Sequence, residues 1–92
     1  PFGKNAAAPE GTNESGFIKI FTSNRNVMIQ SSDELALEEK LVVIYDMFGR
    51  TLLEKMIPPS FSNKITVNRN NCFLIVKVRC RGNIYLQKVF VN

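Results

Sequence analysis

The residue types that perform acid–base, nucleophilic and metal chemistry are few in this chain and poorly spaced for it. There is no histidine. The serines fall at position 15 and in short polar stretches at 23, 31–32 and 60–62, so no nucleophile–base pair can be assembled in the usual way. Asp33, Glu34, Glu38 and Glu39 form an acidic patch, but a catalytic carboxylate pair must sit in a cleft that raises one pKa. Their spacing also matches no oxygen-ligand calcium loop. Cys72 and Cys80 are the only thiols. On the single strand read below they lie eight residues apart, about 26 Å, whereas a disulfide needs Cα atoms within ~7 Å. Without histidine a Cys/His zinc site is excluded within the chain, and both cysteines read as small core or near-core groups. No dinucleotide or P-loop fingerprint is present. The expectation is a domain with no catalytic residue, no metal ligand and no cofactor.

Charge is unevenly placed. The 92 residues carry a net +4. Lys64, Arg69, Lys77, Arg79, Arg81 and Lys88 lie in the last 29 positions with no acid, whereas everything before Lys64 balances to −2 (six basic, eight acidic). A basic end suits nucleic acid, an acidic glycan or an acidic protein. Alternation of Lys77 and Arg79 with apolar residues is equally the pattern of a solvated strand face. No aromatic-rich nucleic-acid motif accompanies it, so nucleic acid is not the expected partner.

The elements that must carry these groups are strands. A chain of this length makes one domain and buries roughly 60–65% of its unfolded surface. The longest apolar runs, Leu41 to Tyr45 and Cys72 to Val76, fall far short of the ~20 residues of a membrane span. Pro1 is not an initiator residue, so the chain reads as a fragment or a processed product, with any targeting segment out of sight. Residues 1–16, rich in Pro, Gly, Ala, Asn, Ser and Glu, read as a linker.

The domain proper is expected over 17–92. Strands are expected at 17–21, 27–30, 41–46, 50–57, 64–68, 72–80 and 84–91, from β-branched and aromatic runs bounded by turn residues. Asp46 opens a turn by accepting the N–H two residues on, and Gly49 supplies a positive φ that closes a hairpin with a bulge. Pro58-Pro59 ends the strand that follows. Residues 31–40 form a loop with one helical turn, capped by Ser32 and plugging the core with Leu35 and Leu37. Seven short strands with turn signals every eight to twelve residues indicate an all-β fold, a small antiparallel immunoglobulin-like β-sandwich. Phe73 and Ile75 share the face that Lys77 and Arg79 mark as outward, which suggests a surface covered at some stage, with a homodimer of the isolated domain as one way to cover it.

The run Val42-Val43-Ile44-Tyr45-Asp46-Met47-Phe48-Gly49-Arg50-Thr51-Leu52 resembles the V-x-V-Y-D-x-x-G-R-x-[VL] stretch of the C-terminal sorting domains of the type IX secretion system of Bacteroidota. Some twenty residues on, Ile75-Val76-Lys77-Val78, the Arg81-Gly82-Asn83 turn and Gln87-Lys88-Val89-Phe90-Val91-Asn92 are similar to that family's G-x-Y-x-V-K-V, short hairpin and closing strand. Thr22-Ser23-Asn24 stands where the family has P-N-P, Cys72 where it has glycine and Leu74 where it has tyrosine. The turn before Cys72 then falls to Asn70 or Asn71.

The resemblance implies a recognition domain. It would fold in the periplasm and be bound by the outer-membrane secretion machinery, carrying an N-terminal cargo to the cell surface. It would then usually be removed by a sortase-like peptidase in the linker, here over Asn5, Ala6, Ala7, Ala8, Gly11, Ser15 and Gly16. Recognition would fall on Lys77, Arg79, Lys88, Val89, Phe90, Val91 and Asn92, with Asp46, Gly49 and Arg50 serving the turn. Two other readings stand beside it. One is a passive immunoglobulin-like module of a secreted enzyme, and the other a glycan- or DNA-binding β-domain using the basic face.

Overall fold

A computed structural model describes residues 16–92. Seven strands form two antiparallel sheets that face each other: β1 (Ile18–Ser23), β2 (Asn26–Ser31), β3 (Lys40–Tyr45), β4 (Thr51–Ile57), β5 (Ser62–Thr66), β6 (Cys72–Cys80) and β7 (Asn83–Val91). One sheet has the order β1-β2-β5 and the other β4-β3-β6-β7. The expected all-β sandwich is what the chain forms.

The core follows from period-2 alternation. Val42 and Ile44 of β3, Leu74, Val76 and Val78 of β6 and Val91 of β7 meet Val27 and Ile29 of β2, all at most 1% exposed. Burying each such side chain contributes on the order of 1.5–3 kcal/mol relative to leaving it in water. The alternation also carries Lys40 inward, two and four residues before Val42 and Ile44. It is 0% exposed, with Nζ donating to the Glu38 carbonyl at 2.7 Å.

Turns are set by residues that tolerate a left-handed backbone. Asn24 (φ 58) turns β1 into β2, and Arg81 with Gly82 (φ 55 and 78) forms the two-residue β6–β7 turn. Asn71 (φ 54) carries the bend before β6, one of the two positions expected for it. The β1–β2 turn is tighter than the sequence suggests. Ser23 pairs with Asn26, so only Asn24 and Arg25 lie outside the ladder.

Residues 31–40 differ from expectation in two ways. A single helical turn, α1 (Asp33–Ala36), does form with Ser32 at its N-cap, but the Ser32 side chain makes no capping bond. Its Oγ instead accepts the Phe17 N–H at 2.9 Å while its own N–H donates to the Phe17 carbonyl at 3.0 Å. The hydroxyl therefore pins the start of β1. Leu35 and Ala36 plug the core as the helical turn directs, whereas Leu37 points out and is 81% exposed.

Candidate recognition surface

The outer face of the larger sheet collects the basic residues. Cross-strand partners share a face of a sheet, and β6 and β7 pair Phe73 with Phe90, Ile75 with Lys88, Lys77 with Leu86 and Arg79 with Ile84. On its other side β6 sets Ile75, Lys77 and Arg79 against Tyr45, Val43 and Leu41 of β3. Lys77, Arg79 and Lys88, dispersed in the sequence, thus stand within one apolar and aromatic patch. Phe73, Ile84, Leu86 and Phe90 are each between 42% and 62% exposed, unusual for the solvated face of an antiparallel sheet, where polar side chains are the rule.

The rings hold the cations in place. Lys88 Nζ sits 4.9 Å from the Phe73 ring centre and Lys77 Nζ 5.6 Å from that of Tyr45. Phe73 and Phe90 meet edge to face at 5.0 Å. Each cation–π contact at an exposed site is worth about 0.5–1 kcal/mol. A patch of this kind presents flat apolar surface and positive charge.

The residues expected to be recognised divide accordingly. Lys77, Arg79, Lys88 and Phe90 share the outer face, and Asn92 is exposed beyond the end of β7. Val89 and Val91 are 7% and 0% exposed and face the core. Alternation along the strand makes them anchors of β7, so their side chains are out of a partner's reach. The β7 edge is partly covered as well. The Thr22 hydroxyl donates to the Phe90 carbonyl at 2.7 Å, and the Gln87 amide to the Lys88 carbonyl at 3.1 Å.

Asp46, Gly49 and Arg50 build the β3–β4 turn, as the sequence indicates. Asp46 Oδ1 accepts the N–H groups of Phe48 and Arg50, both at 2.9 Å, and Oδ2 accepts Arg50 Nε at 2.7 Å. Gly49 adopts φ 86. Burial alone would raise the Asp46 pKa. The Arg50 backbone and side-chain hydrogen bonds, then the Phe48 N–H and the Arg50 charge, outweigh it and hold the carboxyl below its usual value.

Of the segment proposed for cleavage, Asn5, Ala6, Ala7, Ala8, Gly11 and Ser15 lie outside the described residues. Gly16 belongs to the folded body: at φ 130, a Cβ there would come within 2.9 Å of Leu35 Cγ. Cys72 and Cys80 are both free, the first half-buried and the second buried at the opposite end of β6. Among the described residues no group of three or more His, Cys, Asp or Glu side chains is arranged to hold a metal ion.

Sequence reasoning overlooked Met47 and Phe48. Turn chemistry needs only Asp46 and Gly49, yet two large apolar residues stand between them (51% and 87% exposed), Phe48 with its ring 5.7 Å from the Arg50 guanidinium. That excess of apolar surface over turn requirement is the signal that was available. Comparison with models of known protein families finds no match, and none of the curated proteins matches the chain.

Proposed function

We propose that this chain is a sorting domain of the type IX kind. It carries a cargo attached at its N-terminal side through the periplasm and across the outer membrane to the cell surface. The secretion machinery reads it on the β6–β7 hairpin, and a sortase-like peptidase then cuts in the segment ahead of β1. The observation that carries the reading is the outer face of that hairpin. Lys77, Arg79 and Lys88 stand among Phe73, Ile84, Leu86 and Phe90, none of which is needed by the core. A fold that places so much apolar surface outward has a use for it other than its own stability. The motif order around Asp46, Gly49 and Arg50 and along 75–92 supplies the particular family.

Removing β7 is a poor test, because Val89 and Val91 would leave the core with it. Lys77→Glu, Arg79→Glu and Lys88→Glu, combined in the full-length protein in its own host, reverse the charge of the face and spare the core. Cargo should then accumulate in the periplasm while the domain keeps its thermal unfolding midpoint. Export at the unmodified level overturns the reading.

One observation favours a second reading. Tyr45 joins Phe73 and Phe90 beside Lys77 and Lys88, an arrangement that also suits single-stranded nucleic acid or an acidic glycan. Binding of heparin or oligo-dT that falls steeply with added salt, together with normal export of the triple variant, would favour it.

A further inference from the structure

The two sheets close against each other on one side only. Where β1 approaches β7, the Thr22–Phe90 hydrogen bond ties the seam. On the opposite side β4 and β5 are the outer strands of their sheets. Between them a cleft of about 440 Å³ opens, lined by Ile44, Leu52, Leu53, Val67, Asn68 and Arg69. Around the β3–β4 turn a second groove of about 200 Å³ runs past Met47, Phe48 and Phe73. Leu52 and Arg69 line both.

The apolar floor has a specific cause. Ile44 pairs with Leu53 and Tyr45 with Thr51, so Leu52 is the extra residue of a bulge. In a regular strand Leu52 and Leu53 would point to opposite faces. The bulge re-aims one of them, and both line the same opening.

The charge at the junction is positive and, among the described residues, unanswered. The two ion pairs among the described residues are Asp46–Arg50 and Glu38–Arg81, which leaves Arg69 without a carboxylate. Asp46, the acid beside the second groove, already accepts from Phe48 and Arg50.

We propose that this double groove binds an extended acidic peptide segment, with an apolar side chain in the β4–β5 cleft, a carboxylate on Arg69 and a second apolar or aromatic side chain against Met47, Phe48 and Phe73. Alternate residues of an extended chain point the same way at roughly 6.6–6.8 Å intervals. An extended stretch with an acid flanked two positions away on each side by apolar residues presents all three on one side, in the order in which the cleft, Arg69 and the second groove follow one another. No residue of β7 lines either groove, and Phe73 is the one side chain shared with the sorting face, so shifts at Leu52, Leu53 and Val67 tell this site from that one.

The test is a titration of the isotope-labelled chain with the synthetic peptide acetyl-Thr-Leu-Thr-Glu-Thr-Phe-Thr-amide, read from backbone amide shifts. A second titration uses the same peptide with glutamine in place of glutamate. Saturable shifts are expected at Leu52, Leu53, Val67 and Phe48, with the glutamine peptide bound roughly two- to fivefold more weakly, the range of an exposed ion pair. Arg69→Gln, in an exposed loop, should weaken the glutamate peptide by the same factor and make the two peptides equal. Phe48→Ser, at a position that packs on nothing in the core, should weaken both. Absence of a saturable shift, shifts centred on β7, or equal affinity of the two peptides for the unmodified chain would each overturn the proposal.

Discussion

Asp46 and Arg50 close the β3–β4 hairpin upon itself, the Asp46 carboxylate taking both the Arg50 N–H and the Arg50 guanidinium at 2.9 and 2.7 Å. A third bond, from the Phe48 N–H, completes the cage. The pair closes a tip whose other side chains, Met47 and Phe48, are largely presented to solvent, with the Phe48 ring 5.7 Å from the Arg50 guanidinium.

This cage makes folding sensitive to acid. A carboxyl held below its ordinary value favours the folded state above the unfolded pKa, about 3.9. That contribution is lost as pH falls through the lower folded value. The thermal unfolding midpoint should therefore drop below pH 4 in the unmodified chain and drop less in Asp46→Asn, which enters the series already less stable at pH 7. Thermal melts at several pH values check this, and parallel curves for the two proteins would refute it.

At the β6–β7 turn, a positive φ at both Arg81 and Gly82 is the pattern of a type I′ hairpin, for which Asn-Gly is the preferred pair. The one ion pair of Arg81, to Glu38 at 3.5 Å, is exposed and worth little. Arg81→Asn should raise stability by about 0.5–1 kcal/mol. Gly49→Ala should lower it by about 1–2 kcal/mol through backbone strain alone, since a Cβ there would meet no atom within 4 Å. Urea denaturation measures both.

Lys40 fills space in the core with its aliphatic stem and delivers its charge to the Glu38 carbonyl. Lys40→Ala should cost about 2–4 kcal/mol by leaving a cavity. Lys40→Met keeps the volume and should stay within about 1.5 kcal/mol of the unmodified chain. Equal losses in denaturant unfolding would show that the ammonium, and not the stem, is what matters.

The two thiols should differ in reactivity. Burial pushes the Cys80 pKa up; Lys40 pulls it down, Glu38 raises it and Arg81 lowers it, with burial prevailing. A neutral buried thiol favours folding below the ordinary thiol value of about 8.5, and that contribution fades as pH rises through the higher folded value. Peptide mapping after alkylation at pH 8 should find half-buried Cys72 modified well before Cys80. Faster labelling of Cys80 would mean that the closed end of β6 opens readily.

Much of the fold is legible residue by residue, because β-sheet alternation and turn chemistry are local. Cys72 to Cys80 shows its two faces without a structure, and Asp46 with Gly49 marks a hairpin that forms as read. Lys40 shows where such reading stops: beside Glu38 and Glu39 it looks like surface charge, although the same alternation that buries Val42 and Ile44 carries it inward. Ser32 stops it in another way, since its hydroxyl competes between its own helical turn and Phe17, a partner fifteen residues away.

The sequence alone determined the seven strands in outline, the β3–β4 and β6–β7 turns and an excess of positive charge toward residue 92, since each depends on neighbours within a few positions. β5, expected at 64–68, runs instead over Ser62–Thr66, where β2 pairs with it. Only the tertiary structure decided that Tyr45 stands beside Lys77 and that Val89 and Val91 are sealed while Phe90 is offered. It also decided that Leu52, Leu53 and Arg69 border one opening. Those relations arise from pairing β3 with β6 and from leaving β4 and β5 apart. The register and spacing between strands distant in the chain are chosen by how two whole sheets pack.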